Sequence, residues 1–140
     1  NRNTDYKFDL EKFTNVNGKT GVYIQYANVR AQKLINDSKL EVSDFSILSK
    51  ELDNNDKSLL RSFIKFEFYF EQTIKNNEPH HLADYLYEIS QQFNGMYQGT
   101  NILENENITL KENKLKITDL FLEYSNLLME CLGILPVKKM

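Results

Sequence analysis

A single cysteine, two prolines, five glycines and no tryptophan are found in this 140-residue chain, and each scarcity excludes something. Cys131 has no partner for an internal disulfide, so no covalent staple can replace a core, and this cysteine usage fits a reducing compartment. Long stretches run without a proline or glycine, which favours helices over a turn-dense β fold. No apolar run is long enough to cross a bilayer, and the start lacks the basic-then-apolar pattern of a secretion signal. Basic residues are not in excess: the formal net charge is −3. That argues against a general nucleic-acid binder working through bulk positive charge, but leaves room for a local basic stripe. Asn1 in first position suggests a piece excised from a longer protein.

What is present is hydrophobic periodicity in helical steps. The length suits one domain with a real core. Residues 1–17 show no clear period and are expected to form an extended or partly helical lead-in. Thr20 is the expected N-cap of a helix running to about Asn36. A short helix is expected around Phe45 to Leu52, then a turn at Asp53-Asn54-Asn55. Asp56 should cap a continuous helix to about Lys75, with Leu60, Phe63, Ile64, Glu67, Phe70 and Ile74 in steps of three and four. Phe66 to Phe70 alternates like a strand, but the long periodic segment around it favours helix. Pro79 suits the first turn of the next helix, whose stripe is Leu82, Leu86, Ile89, Phe93 and Met96/Tyr97. After a polar loop at 104–107, Thr109 should cap the last helix, with Ile117, Leu120/Phe121, Tyr124, Leu127/Leu128 and Cys131 as its stripe. Gly133 suits its C-cap, and Pro136 prevents continuation. The expectation is an all-α bundle of four or five helices, without repeats or a second domain.

Catalytic constellations are missing from the sequence. It has no nucleophile elbow, no phosphate-cradling glycine loop and no cysteine cluster. His80 and His81 are neighbours, so helical geometry should splay them by about 100° rather than pair them on a metal. Recognition has better candidates. Tyr23, Tyr26 and Arg30 share one helical face, where rings beside a guanidinium suit stacking on an unpaired base. The same spacing also fits a tyrosine-rich core stripe with Arg30 paired to a carboxylate, and spacing alone favours that reading. Tyr97 stands near a helix end between Gly95 and Gly99. Lys111, Lys114 and Lys116 open the last helix and Lys138 and Lys139 close the chain, with Arg30 and Lys33 able to join them if first and last helices pack together.

Order and spacing add more than periodicity. Gly18, Thr20, Gly21, Tyr23, Tyr26, Ala27 and Arg30 resemble Gly-x-Thr-Gly-Pro-Tyr-x-x-Tyr-Ala-x-x-Arg. Pro79, His80, Tyr85, Leu86, Tyr87, Phe93 and Tyr97 resemble a second block, and Leu115, Leu132, Gly133, Ile134 and Met140 a third. Together they resemble the C-terminal anticodon-binding domain of arginyl-tRNA synthetases, an all-α fold of the class Ia enzymes named after an Asp-Ala-Leu-Arg (DALR) motif. The resemblance implies a lead-in at 1–17 and the domain at 18–140. It implies binding of the anticodon stem-loop of arginine tRNA, with the middle cytosine a principal identity element. It assigns Tyr23, Tyr26, Arg30, Tyr97 and Met140 to the anticodon and Lys111, Lys114 and Lys138 to the RNA backbone. Val22 replaces the family's usual Pro, Lys114 its Arg and Met96 its Phe. The ATP signatures His-Ile-Gly-His and Lys-Met-Ser-Lys are missing, so this stretch should hold no cofactor and no metal. A parent enzyme would use ATP and Mg²⁺ to join arginine to tRNA, with its catalytic domain as a further partner, in the cytoplasm. Alternatives are the equivalent domain of a cysteinyl or glycyl enzyme, or a helical protein-interaction module.

Overall fold

The computed structural model describes residues 9–11 and 20–139. The lead-in expected at 1–17 therefore falls almost wholly outside the described residues, as do Gly18 and Met140. Among the described residues, five helices carry the fold: α1 (Gly21–Ser38), α2 (Asn54–Ile64), α3 (Phe66–Asn76), α4 (His80–Gln98) and α5 (Ile108–Cys131). No strand occurs among the described residues, and none of their helices is long and apolar enough to cross a membrane.

α4 touches every other helix, and α1 packs along α5. The reason is the apolar stripe of α4: Leu82, Tyr85, Leu86, Ile89, Phe93 and Met96 are all buried. Each such side chain contributes about 1.5–3 kcal/mol by leaving water. Phe93 stacks on Phe121 of α5 with ring centroids 4.4 Å apart. Polar pins fix the α1–α5 register, since buried Asn28 donates to Ser125 Oγ at 2.8 Å and to Asn126 Oδ1 at 2.9 Å. A smaller cluster of Leu34, Val42, Ile102 and Leu115 closes the end where α1 meets the loop after α4.

Several local expectations hold. Thr20 caps α1 by accepting the Tyr23 N–H at 3.3 Å. Gly133 takes φ +70° just past α5, where its N–H reaches Glu130 O and that of Ile134 reaches Met129 O. This is the doubly bonded left-handed helix stop that glycine adopts most cheaply.

Others are corrected. Two short 3-10 turns, Val42–Asp44 and Ser49–Glu51, replace the helix expected at 45–52. There the carboxamide of Asn113 takes both backbone groups of Leu48, accepting its N–H at 2.7 Å and donating to its carbonyl at 2.8 Å. Those groups are thus spent outside a helix. Asp53, not Asp56, caps α2, and Asp56 is the third residue of a reciprocal capping box. Asn107, not Thr109, caps α5.

The helix expected from 56 to 75 is broken at Lys65. The break lets Phe63 stack on Tyr124 at 4.8 Å and Phe66 meet Tyr124 edge-on at 5.4 Å. It also lets Tyr69 stack on Tyr85 at 4.8 Å. Each ring pair adds about 0.5–1.5 kcal/mol beyond burial. The turn carries Ile64 and Ile74 off the expected stripe into solvent. Leu127 and Cys131 likewise face outward, while Met129 takes a buried place on α5.

Candidate nucleic-acid interface

α1 and the end of α4 place three of the expected residues together. The Arg30 guanidinium lies over the ring of Tyr26 at 4.5 Å and over that of Tyr97 at 4.7 Å. Its Nη1 donates to Asn94 Oδ1 at 2.7 Å and its Nη2 to the Tyr26 hydroxyl at 2.8 Å. Helical spacing explains this directly: Tyr26 and Arg30 stand four apart on α1, and Asn94 and Tyr97 three apart on α4. No carboxylate of the described residues pairs with Arg30. The alternative of a core stripe with Arg30 held in an ion pair therefore fails. The cation is half-buried and held between two rings, with N–H donors left over from the five a guanidinium carries.

Beside Tyr97 opens a cavity of about 350 Å³, lined also by Leu34, Gln98, Thr100, Asn101, Ile102 and Leu103. Its lining mixes apolar side chains with two carboxamides and hydroxyls, so it offers both contact area and hydrogen-bonding groups. Asn94 and, of the cavity wall, Gln98, Thr100 and Asn101 carry no signal of their own in the sequence. The Phe93-Asn94-Gly95-Met96-Tyr97 block held the only hint of Asn94, one helical turn before Tyr97.

The other expected residues divide. Tyr23 packs on Tyr87, ring centroids 5.2 Å apart, and takes no part in the Arg30 stack. Met140 lies outside the described residues. Lys138 is exposed and lines a cleft against α1. Lys111 sets its ammonium on the Leu103 carbonyl at 2.8 Å, so it fastens the wall of the cavity.

Lys114 is a correction. Its side chain is 0% exposed and bridges Asp53 at 2.8 Å and Asp56 at 2.7 Å, so it cannot reach an RNA backbone. The ammonium pins the capping box of α2 to α5. Burial pushes the Asp53 carboxyl up, but the Lys114 hydrogen bond, backbone N–H donors and the Lys114 charge outweigh it and hold the group below its ordinary value.

The histidines also depart from expectation. Their rings lie 4.2 Å apart instead of splaying, because His80 is only the first helical residue. His81 Nε2 is 3.2 Å from Glu78 Oε2, close enough for an ion pair when protonated but not aligned for a hydrogen bond. Glu78, His80 and His81 bring ligand atoms within 4.8 Å of one another. The positive end of the α4 dipole opposes a cation there.

Comparison with known proteins accords with this geometry. Residues 24–140 match the family of the DALR anticodon binding domain. The arginine–tRNA ligase of Pasteurella multocida is 35% identical over 141 residues, covering 100% of this chain and 25% of that protein. That of Agathobacter rectalis is 32% identical over 133 residues, covering 92% of this chain and 22% of that protein. Among solved structures, the arginyl-tRNA synthetase of Plasmodium falciparum superposes with a TM-score of 0.85 at 30% identity, over 99% of this chain and 24% of that one. The chain thus spans about a quarter of the length of the curated relatives it matches.

Proposed function

We propose that this chain, which belongs to the DALR anticodon binding domain family, reads the anticodon loop of arginine tRNA for an arginine–tRNA ligase. The observation that carries the reading is the half-buried Arg30, without a carboxylate partner among the described residues, stacked on Tyr26 and on Tyr97, whose ring also lines a cavity of about 350 Å³. Single-stranded loops are read by splaying bases onto aromatic and guanidinium planes and bonding their edges. Tyr26, 38% exposed, offers a stacking face. Arg30 offers donors to a base edge or phosphate, and Tyr97 forms one wall of the cavity. Tyr23 and Met140 are assigned to the anticodon by family resemblance. Lys138 contacts the RNA backbone, as phosphate-positioning residues do.

The parent enzyme would charge the tRNA with arginine using ATP. The residues present here do not fit a nucleotide or its Mg²⁺, since the chain carries neither ATP signature and Lys114 is consumed in an internal pair. Those ligands belong to the catalytic domain, the second partner in this reading. A cytoplasmic location goes with the same reading.

The test is titration with an arginine-type anticodon stem-loop and a copy whose middle cytosine is replaced. Tighter binding of the cytosine loop is expected. Equal binding would reduce the site to a nonspecific RNA contact.

A further inference from the structure

The segment after α5 has no regular element to hold it, since Gly133 turns the chain and Pro136 blocks a helix. Ile134 still packs on the core, and beyond it one side chain bonds the backbone of the tail. The Gln25 carboxamide donates to the Leu135 carbonyl at 2.8 Å and accepts the Val137 N–H at 3.0 Å. It bonds the tail as a neighbouring strand would, through a carbonyl and the N–H two residues on. Gln25 directly precedes Tyr26 on α1, and neither base stacking nor the core uses it.

The docked tail builds a cleft. Lys138 and Lys139 lie across from Lys33, and together with Val29, Gln32, Asn36 and Asp37 they line a space of about 360 Å³. None of the three lysines is ion-paired among the described residues, and Asp37 is the one carboxylate among the cleft's lining residues. A chain of net charge −3 therefore gathers unpaired cations in one concave place. Three lysines against the single carboxylate of Asp37 leave the cleft net positive, and a concave site of one net sign attracts anions. Lys33 lies three residues beyond Arg30 on α1, so the cleft adjoins the ring stack.

We infer that this cleft is a phosphate-binding subsite for the RNA strand and that Gln25 is the positioning residue that builds it. The inference rests on the RNA-reading assignment. An RNA loop laid over Tyr26 and Tyr97 would run its backbone along the cleft, and a displaced tail would carry two of the three charges away.

The experiment titrates the 140-residue chain with the cytosine stem-loop and its base-replaced copy across a salt series, with Tyr26→Ala as a control. In Lys33→Ala/Lys138→Ala, both loops should bind about tenfold more weakly at low salt. The slope of log affinity against log salt should shrink by about 1.5, as for two lost phosphate contacts, with the ratio between loops unchanged. Gln25→Ala keeps every lysine, yet should lose a similar slope and the hydrogen-exchange protection of the Val137 amide while its melting temperature holds. A wild-type slope in the lysine variant would overturn the subsite, and the base-reading assignment would survive if Tyr26→Ala still costs cytosine affinity. A wild-type slope in Gln25→Ala alone would remove Gln25 from the role. Failure of the unaltered chain to bind either loop would sink the reading and the subsite together.

Discussion

At the scale of single residues, two cations of similar sequence standing have opposite fates. Arg30 is stacked between tyrosines without an acidic partner among the described residues, whereas Lys114 is buried between two aspartates. Tyr26→Ala should therefore weaken the cytosine loop by about 1–3 kcal/mol, the usual worth of base–aromatic stacking. Isothermal titration measures this, and undiminished affinity in a folded variant would remove Tyr26 from the surface. Lys114→Met should act on stability instead. It leaves the buried Asp56 carboxylate without its cation, at a cost of about 3–5 kcal/mol. Urea denaturation should show that loss, while the folded fraction binds RNA as before. A weakened salt slope with unchanged stability would restore the RNA-contact role. Spacing could not separate the two cations, because the exposure of a helical lysine depends on which helix packs over it.

At the scale of elements, the sequence was most legible where a residue's own backbone chemistry decides the outcome. Thr20, Pro79 and Gly133 mark real helix ends. The stripe of α4 was readable because each of its members faces the same core. The break at Lys65 was not, since neither glycine nor proline marks it. Its cause is the long-range gain of setting Phe66 and Tyr69 against Tyr85 and Tyr124. The 45–52 segment was misread for a similar reason, its partner Asn113 lying 65 positions from Leu48. The base-stacking trio was half legible: Tyr26–Arg30 is a local pair, but Asn94 and Tyr97 join it only through α1–α4 packing. Helix ends also carry a prediction. Lys39 ends α1 at φ 54°, a left-handed conformation that strains a side chain but not glycine. Lys39→Gly should raise stability by about 0.5–1 kcal/mol, visible as a melting point a few degrees higher. A lower melting point would mean that the exposed Lys39 side chain makes a contact worth more than the strain.

At the scale of the whole molecule, stability should depend on pH through carboxylates that tie helices together. Glu88 of α4 accepts from Lys65 Nζ at 2.8 Å, Tyr69 hydroxyl at 3.1 Å and Ser62 hydroxyl at 3.3 Å. The Tyr85 hydroxyl joins the same junction by donating to the Ser62 carbonyl at 2.9 Å. Burial pushes the Glu88 carboxyl up, but these donors and the Lys65 charge overcome it, leaving it below its ordinary 4.5. Asp53 lies below its ordinary 3.8 in the same way. A carboxyl that is more acidic folded than unfolded binds fewer protons in the native state, so the unfolded state gains as protons are added. The stabilisation is fully present above the ordinary carboxylate range. It is lost as pH falls from about 4.5 through the depressed native values. Glu88→Gln keeps the shape but cannot titrate, so its stability should fall less steeply on that acid limb, from a lower neutral plateau. Urea midpoints followed from neutral pH into acid would show this. An acid limb as steep as that of the unaltered chain would assign the dependence to other carboxylates and reduce the Glu88 junction to a packing contact.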